Sequence, residues 1–478
     1  MLDALSDRKI ILGLILLQLA ICLPFINSYP ICLDEPFSIF WSQQDLNEFM
    51  PELVKGNNPP LYFIILHYWM EVFGASPFST RSLSLLFSIL MIPFLYDLTK
   101  KITNKHFAII SVLLTLFSSL FHYHSIEARM YSMMVCLTVI SFWAMYCLIF
   151  EDRKYWWLLG ISNGLLLYTH YLGFYIIGIQ IFVVLVSIKE LSRSRFISLG
   201  ISLLLTTLLY FPNLMIIQSR LKDFTSHGTW LRAPEWTEIY GNIIRFLNYQ
   251  LSTAITLSIL IIFAVICKKG LLGRLKEVLT NPKMRFVVVV FFGGYFGMYL
   301  FSITVQPVFL DRYLLYLLPF LMMMISIYLF QATKGCIRNK KWILLAVAPI
   351  AIACYYVPHV NRENDQLANY VKHLNNPRTI ITLCPPTFDL NFMYHYDRNS
   401  FKDYSKFDEH LERQNIHRIY SFEDINMNID FNYLIYVDAN SNFLYPNNNI
   451  LKNLDNNLLF LENKKFKGEY IVYYYQKP

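Results

Sequence analysis

Several groups of residues in this chain could do chemistry: Asp34-Glu35, followed by Asn57-Asn58-Pro59-Pro60-Leu61-Tyr62; His122, His124, Glu127 and Arg129; His170-Tyr171; Arg220, Lys222, His227 and Arg232, between Gln218 and Gln250; and Asp311-Arg312. A carboxylate can take a proton from a hydroxyl, a guanidinium can hold an oxyanion on two N–H groups, and histidine with glutamate can order a substrate or a metal ion. Each group borders an apolar run, where an ionisable side chain is costly and by default marks a functional site. Singly, each has an ordinary explanation. Asp34 could cap a helix that has Pro36 in its first turn. Glu127 and Arg129 could be a loop ion pair, His170 a satisfied polar residue in a tight hairpin, and Arg81 and Arg312 span ends that reach for headgroups. Their order, and their placement on one side of a membrane, carry the functional reading.

The elements that must position these residues are membrane helices. The 478 residues are 55% hydrophobic and 15% charged, with a mean hydropathy of +0.39, which excludes an ordinary soluble domain. Runs such as Ile10 to Ile26, Ile109 to Phe121 and Phe286 to Phe301 approach the roughly 20 residues a spanning helix needs. The net charge of +8 resides largely in short loops, at Arg8-Lys9, Lys100-Lys101-Lys105, Arg153-Lys154, Lys189 to Arg195, Lys268 to Arg285 and Lys334 to Lys341. These are topology signals that face the cytoplasm, so no nucleic-acid partner is expected. The eight cysteines show no C-x-x-C or metal-like spacing, and neither a disulfide framework nor a structural zinc is expected. The first apolar run lacks a small-residue cleavage site and reads as a retained helix.

That orientation imposes a parity. Between Lys9 and Lys100 the crossings must be even in number, yet three apolar stretches lie there. The weakest is Pro60 to Phe73, 14 residues interrupted by His67 and Glu71; its length fits an interfacial or re-entrant helix, which leaves residues 28–79 outside. The spans are then expected at 8–27, 80–99, 106–121, 131–150, 155–169, 172–188, 196–217, 251–267, 286–304, 313–331 and 341–357, about eleven helices. The N-terminus is cytoplasmic and the C-terminus extracytoplasmic, in the plasma (inner) membrane. Residues 1–357 form the membrane domain. From Pro358 hydropathy falls, and 358–478 is expected to be a small extracytoplasmic α/β domain with strands at Thr379 to Leu383, Tyr433 to Val437 and Tyr470 to Tyr475. Asn440 to Asn457 reads as loop.

Asp34-Glu35-Pro36-Phe37-Ser38, N-N-P-P-L-Y at Asn57 to Tyr62, E-A-R-M-Y at Glu127 to Tyr131, T-H-Y-L-G at Thr169 to Gly173, and Pro307 with D-R-Y at Asp311 to Tyr313 together resemble glycosyltransferase family 39. This belongs to the GT-C group, with protein O-mannosyltransferases and lipid A aminoarabinose transferases. The resemblance covers residues 1 to about 330. Where relatives often carry His-Pro-Pro, this chain has Asn58-Pro59-Pro60.

The resemblance implies a polyprenyl-phosphate-linked sugar as donor and inverting transfer to an acceptor on the extracytoplasmic face. That acceptor could be a glycan, a lipid or a protein. Such a reaction needs one carboxylate as general base, and its phosphate leaving group needs cations rather than an acid. A glycosidase needs two facing carboxyl groups, whereas neighbours such as Asp34 and Glu35 point apart on a helix or strand. The roles that follow are Asp34 as base, Glu35 as an orienting group, and Arg129 and Arg312 on the donor phosphate. Asn58, Tyr62, Glu127, Tyr131, His170 and Tyr171 would position substrate. Glu127 and His170 could also hold a divalent ion, although no cofactor is firmly implied. The rival reading is a polytopic transporter or flippase. It should show internal repeats and mid-span charges, which this sequence lacks.

Overall fold

The computed structural model describes residues 5–55, 58–151, 155–214, 231–266, 271–334, 341–358, 362–446 and 448–478. Arg220, Lys222, His227, Asn57, Cys267 and Cys336, with the loop cations Arg153, Lys154, Lys268, Lys269, Arg338 and Lys340, lie outside the described residues. The chain divides into two compact units: Met1–Ile26 with Pro51–Tyr62 and Arg81–Pro358, and Asn27–Met50 with Phe63–Thr80 and His359–Pro478.

The first unit is helical. Among the described residues, six helices are long and apolar enough to cross a membrane: Asp7–Phe25, Pro77–Ile102, Tyr131–Phe150, Arg193–Asn213, Pro282–Thr304 and Asp311–Thr333. Leu204, Leu208 and Phe211 on one helix, and Leu251, Ile261 and Val265 on another, stand exposed; lipid tolerates apolar surface of that extent and water does not. The chain is a multi-pass membrane protein. Small residues let its helices approach closely, because a Cβ added to Gly160 or Gly164 would come within 2.8 or 2.9 Å of Leu205 or Leu209. Polar side chains pair internally. Asn163 donates to Gln180 at 2.7 Å, and Gln180 Nε2 donates back to Asn163 and on to Ser141, both at 3.0 Å.

The crossing expected at 106–121 is broken, and the helix expected at 251–267 is unbroken over its described residues but preceded by a second bend. Lys105–Leu116 turns by 69° into Ser119–Ser125, and Thr237–Phe246 turns by 82° into Tyr249–Phe263. Each break frees backbone groups that a membrane interior cannot hydrate. The breaks satisfy each other. Asn248, with left-handed backbone at φ 62, donates from Nδ2 to Phe117 O at 2.7 Å and Cys354 O at 3.2 Å, and its Oδ1 accepts the Ser119 amide at 2.7 Å. Ser118 Oγ closes the junction on Phe246 O at 3.2 Å. The shorter apolar helices are Leu61–Phe73, Leu172–Val186 and Trp342–Cys354.

The second unit contains a five-stranded sheet of order β2-β1-β3-β5-β4, with β1 Thr379–Cys384, β2 Ile416–Arg418, β3 Tyr433–Ala439, β4 Leu459–Phe466 and β5 Tyr470–Gln476. β1 runs parallel to β2 and β3, while β5 is antiparallel to β3 and β4. The three expected strands are present. β2 has only three residues, and the edge strand β4 is exposed along all but its last residue, so neither shows the periodicity that reveals a strand. Asn440–Asn457, expected as loop, carries helices Ser441–Leu444 and Ile450–Asn457. Ile450 and Leu454, one turn apart, are fully buried in a cluster with Leu434, Tyr436 and Tyr475, and that burial outweighs the poor helix propensity of asparagine. Helix Glu35–Ser42 belongs to this unit, where Phe40 packs on Phe401, Tyr404 and Phe407.

Candidate functional site

The sequence-derived residues fall into two sets, one in each unit. In the first unit, Glu127-Ala128-Arg129 makes a tight turn ahead of helix Tyr131–Phe150, with Arg129 N on Glu127 O at 2.7 Å. A buried relay supports the turn. Ser84 Oγ donates to Arg129 O at 3.1 Å, which uses its proton, so Tyr62 OH must donate to Ser84 Oγ at 3.0 Å. The N-N-P-P-L-Y and E-A-R-M-Y motifs thus meet in space. Arg129 Nη2 also lies 3.4 Å from Asn58 Oδ1. Glu127, 4% exposed, is held by His124 Nδ1 at 2.6 Å and Tyr123 OH at 3.4 Å.

Beside this turn lies the hairpin between helices Trp156–Thr169 and Leu172–Val186. His170 is extended (φ −155, ψ 140) as the C-cap of the first helix. A Cβ on Gly173 would lie 3.0 Å from Leu166 O, so the T-H-Y-L-G motif ends in the residue that this close approach permits. His170 Nδ1 accepts the Leu172 amide at 3.1 Å, which leaves Nε2 to carry the proton of the neutral ring. Burial, with added repulsion from Arg129 and Arg312, pushes its pKa down to about 3. The ring therefore stays neutral and donates a hydrogen bond without adding charge.

Two tyrosines connect His170 with Arg129 and Arg312. Tyr131 and Tyr313 line the same place: His170 lies 6.4 Å from Tyr131 and 5.3 Å from Tyr313 between ring centroids, Arg129 6.0 Å from the Tyr131 ring, and Arg312 5.5 Å from the Tyr313 ring. Asp311 accepts the Arg312 amide at 2.7 Å and pairs with Arg245 Nε at 3.5 Å, and Arg245 reaches Glu238 at 2.5 Å. Two buried or half-buried guanidiniums with a neutral N–H donor suit a phosphate group. The sequence reading missed Arg245, His124 as the partner of Glu127, and Tyr313 as part of the cluster. Glu238 and Arg245, seven residues apart on one amphipathic helix, were the available signal for the first.

Asp34 and Glu35 lie in the second unit. Glu35 opens helix Glu35–Ser42 with Pro36 behind it, and Asp34 occupies the N-cap, as a capping role would require. The Asp34 carboxylate makes no capping bond to that helix; instead, Ser38 N bonds Asp34 O at 3.3 Å. Glu35 is 3% exposed, with Oε2 3.5 Å from the Cys32 amide, whereas Asp34 is half-buried.

The remaining candidates take structural places. Arg81 is not a snorkelling residue: it is 2% exposed and its Nη1 donates to Ile26 O at 2.8 Å. His122 bonds Tyr355 OH at 2.9 Å. Tyr171 N-caps helix Leu172–Val186, and Arg232 is exposed. Among the described residues, no three His, Cys, Asp or Glu side chains are grouped to hold a metal ion.

Residues 57–216 match the family model for dolichyl-phosphate-mannose-protein mannosyltransferase. Two structures of ArnT from Cupriavidus metallidurans, one apo and one bound to undecaprenyl phosphate, align over 98% of this chain and 98% of theirs, with TM-scores of 0.58 and 0.61 and 11% identity. AglB, an oligosaccharyltransferase from Archaeoglobus fulgidus solved with an inhibitory peptide and a dolichol-phosphate, aligns over 96% of this chain and 73% of its own, with a TM-score of 0.53 and 10% identity. No curated protein matches the chain in sequence. The fold is that of ArnT and AglB, and the resemblance read from the short motifs agrees with the family match over residues 57–216.

Proposed function

We propose that this chain is an inverting glycosyltransferase that moves a sugar from a polyprenyl-phosphate donor to an acceptor hydroxyl on the extracytoplasmic face of the membrane. The observation that carries the reading is the grouping of His170 with Tyr131 and Tyr313, at 6.4 and 5.3 Å between ring centroids, and of Arg129 and Arg312 with those two rings, at 6.0 and 5.5 Å, an arrangement with the charge and donors that a phosphate leaving group needs. The family match over residues 57–216 and the undecaprenyl phosphate bound by ArnT support a lipid-linked donor.

In this reading Arg129 and Arg312 hold the donor phosphate, and the Nε2–H of His170 donates a further hydrogen bond. Asn58 and Tyr62 keep Arg129 in place, Glu127 and Tyr131 shape the wall, and Tyr171 anchors the hairpin. Asp34 takes the proton of the acceptor hydroxyl as its oxygen attacks the anomeric carbon on the face opposite the phosphate, which inverts that centre. The C–O bond to phosphate breaks, and its electron pair leaves with the polyprenyl phosphate. Glu35 orients the turn that carries the base.

The test supplies undecaprenyl-phosphate-linked sugars with a radiolabel to membranes containing the chain or its Asp34→Asn variant. Product from the wild type and at least a roughly 100-fold loss in the variant are expected. Equal rates would remove Asp34 as base, and no product from any donor would remove the glycosyltransferase assignment.

A further inference from the structure

The turn that carries Asp34 is not held by its own neighbours alone. Leu33, immediately before it, adopts left-handed backbone at φ 58, a conformation that persists in a residue with a side chain only where its surroundings impose it. Carbonyls on this side of the turn are received by side chains more than 350 residues away in sequence. Asn391 Nδ2 donates to Leu33 O at 2.9 Å (a separation of 358 residues), and His395 Nε2 donates to Ile31 O at 2.7 Å (a separation of 364). These donors stand one turn apart on helix Asp389–Tyr396, so they share a face and can grip two carbonyls of one turn.

The grip is itself braced. Asn391 Oδ1 accepts from Nδ2 of Asn364 at 3.2 Å, which fixes the Asn391 amide with its N–H group toward Leu33. Asp389, at the start of the helix, pairs with Arg418 of β2 at 3.2 Å. Just beyond the helix, Arg398 lies 3.6 Å over the Tyr394 ring and donates to Ala75 O at 3.2 Å. One short helix and its C-terminal neighbour therefore take up three backbone acceptors from residues 31–75.

We propose that Asn391 and His395 are positioning residues for the Asp34 carboxylate, and that the C-terminal α/β domain contributes to transfer by clamping the turn from which the base projects. The inference rests on the reading of Asp34 as base. Its physical content is directional: with both carbonyls held, the left-handed residue at 33 has one setting, and the carboxylate that follows has one aim. With either donor removed, Leu33 can relax toward ordinary backbone, and the carboxylate swings while the phosphate site in the other unit is untouched.

The experiment compares Asn391→Ala, His395→Phe, His395→Gln and Asp34→Asn in the full chain, with undecaprenyl-phosphate-linked radiolabelled sugars as donor and hydrogen exchange of the purified protein as second readout. Asn391→Ala and His395→Phe are expected to lower kcat roughly 10- to 100-fold with donor KM little changed. His395→Gln, whose amide N–H replaces the ring N–H, should recover most of that loss. Exchange should quicken over residues 31–38 and stay unchanged over β1 and β3. Wild-type kcat in both disruptive variants, alongside an inactive Asp34→Asn, would overturn the clamp and leave the base intact. A fully active Asp34→Asn would instead overturn the base and the clamp with it. A loss that His395→Gln does not restore, accompanied by faster exchange throughout the sheet, would reduce both residues to structural supports and also overturn the proposal.

Discussion

Arg129→Gln should lower kcat as well as raise the donor KM, and the split between the two tests what this arginine does. A polyprenyl-phosphoryl sugar carries one negative charge on its phosphodiester, and the departing polyprenyl phosphate carries nearly two. A guanidinium on that phosphate therefore stabilises the transition state more than the bound donor, and its loss cannot fall on KM alone. The size follows from burial. Arg129 is 6% exposed, so water cannot replace its bond to the phosphate; a charged hydrogen bond in such a place is worth about 1.5–3 kcal/mol, or roughly 10- to 150-fold. Arg312 is half-exposed, and its loss should sit at the lower end of that range. Arg129→Lys keeps the charge, loses the planar fork and should fall between wild type and Arg129→Gln. The assay is steady-state transfer of radiolabelled sugar from undecaprenyl-phosphate donors across a range of donor concentrations. A kcat within about threefold of wild type in Arg129→Gln, with the whole effect in KM, would refute the leaving-group role.

Three further outcomes are expected. Tyr62→Phe should cost about 1 kcal/mol of stability and Ser84→Ala about 2 kcal/mol, because the first removes one hydrogen bond of the relay and the second removes both, and the double variant should cost less than the sum; unfolding in detergent measures all three. His170 has a folded pKa of about 3, below its ordinary value of about 6.5. The stability it contributes is therefore complete above pH of about 6.5 and is lost as pH falls from there toward 3; His170→Gln should flatten that portion of the stability–pH curve, and Arg129→Gln should move the His170 resonances to a higher midpoint in a histidine NMR titration. Asn248→Gly retains the freedom to hold φ 62 but deprives Phe117 O, Cys354 O and Ser119 N of their partner; at about 1–3 kcal/mol for each stranded group, the variant should be markedly depleted from membranes, as an expression blot would record.

The contrast between motif residues and their partners explains what could be read in advance. Arg129 and Arg312 were legible because each sits in a short motif at the end of an apolar run, where its cost in lipid marks it. Helices and three of the strands were legible because apolar residues recur at the helix or strand period. The two breaks were not. Nothing local distinguishes Phe117-Ser118 from a continuing helix; that junction depends on Asn248, 131 residues away from Phe117. Arg245 escaped for the same reason, since its meaning comes from Asp311, which only the fold brings near. The edge strand β4 escaped because both its faces are exposed, leaving no alternation to detect.

The C-terminal domain depends on long-range partners in the same way. The sequence of this domain carries no motif of the kind seen at Glu127 to Tyr131 or Asp311 to Tyr313. A positioning role needs only a hydrogen-bond donor at a given place, which asparagine, histidine, glutamine or lysine could each supply, so it leaves no signature in the sequence. Asp34 departs from local preference in a second way. It stands at a helix N-cap without making the capping bond, beside a residue in a costly backbone setting, and both departures from local preference fall within two consecutive residues. Local preferences tend to be overridden where function requires it, with the cost met by contacts elsewhere in the fold. For Leu33 that contact is Asn391 Nδ2 at 2.9 Å, and for the segment before it His395 Nε2 at 2.7 Å. These two hydrogen bonds hold the turn in that setting from residues far along the chain.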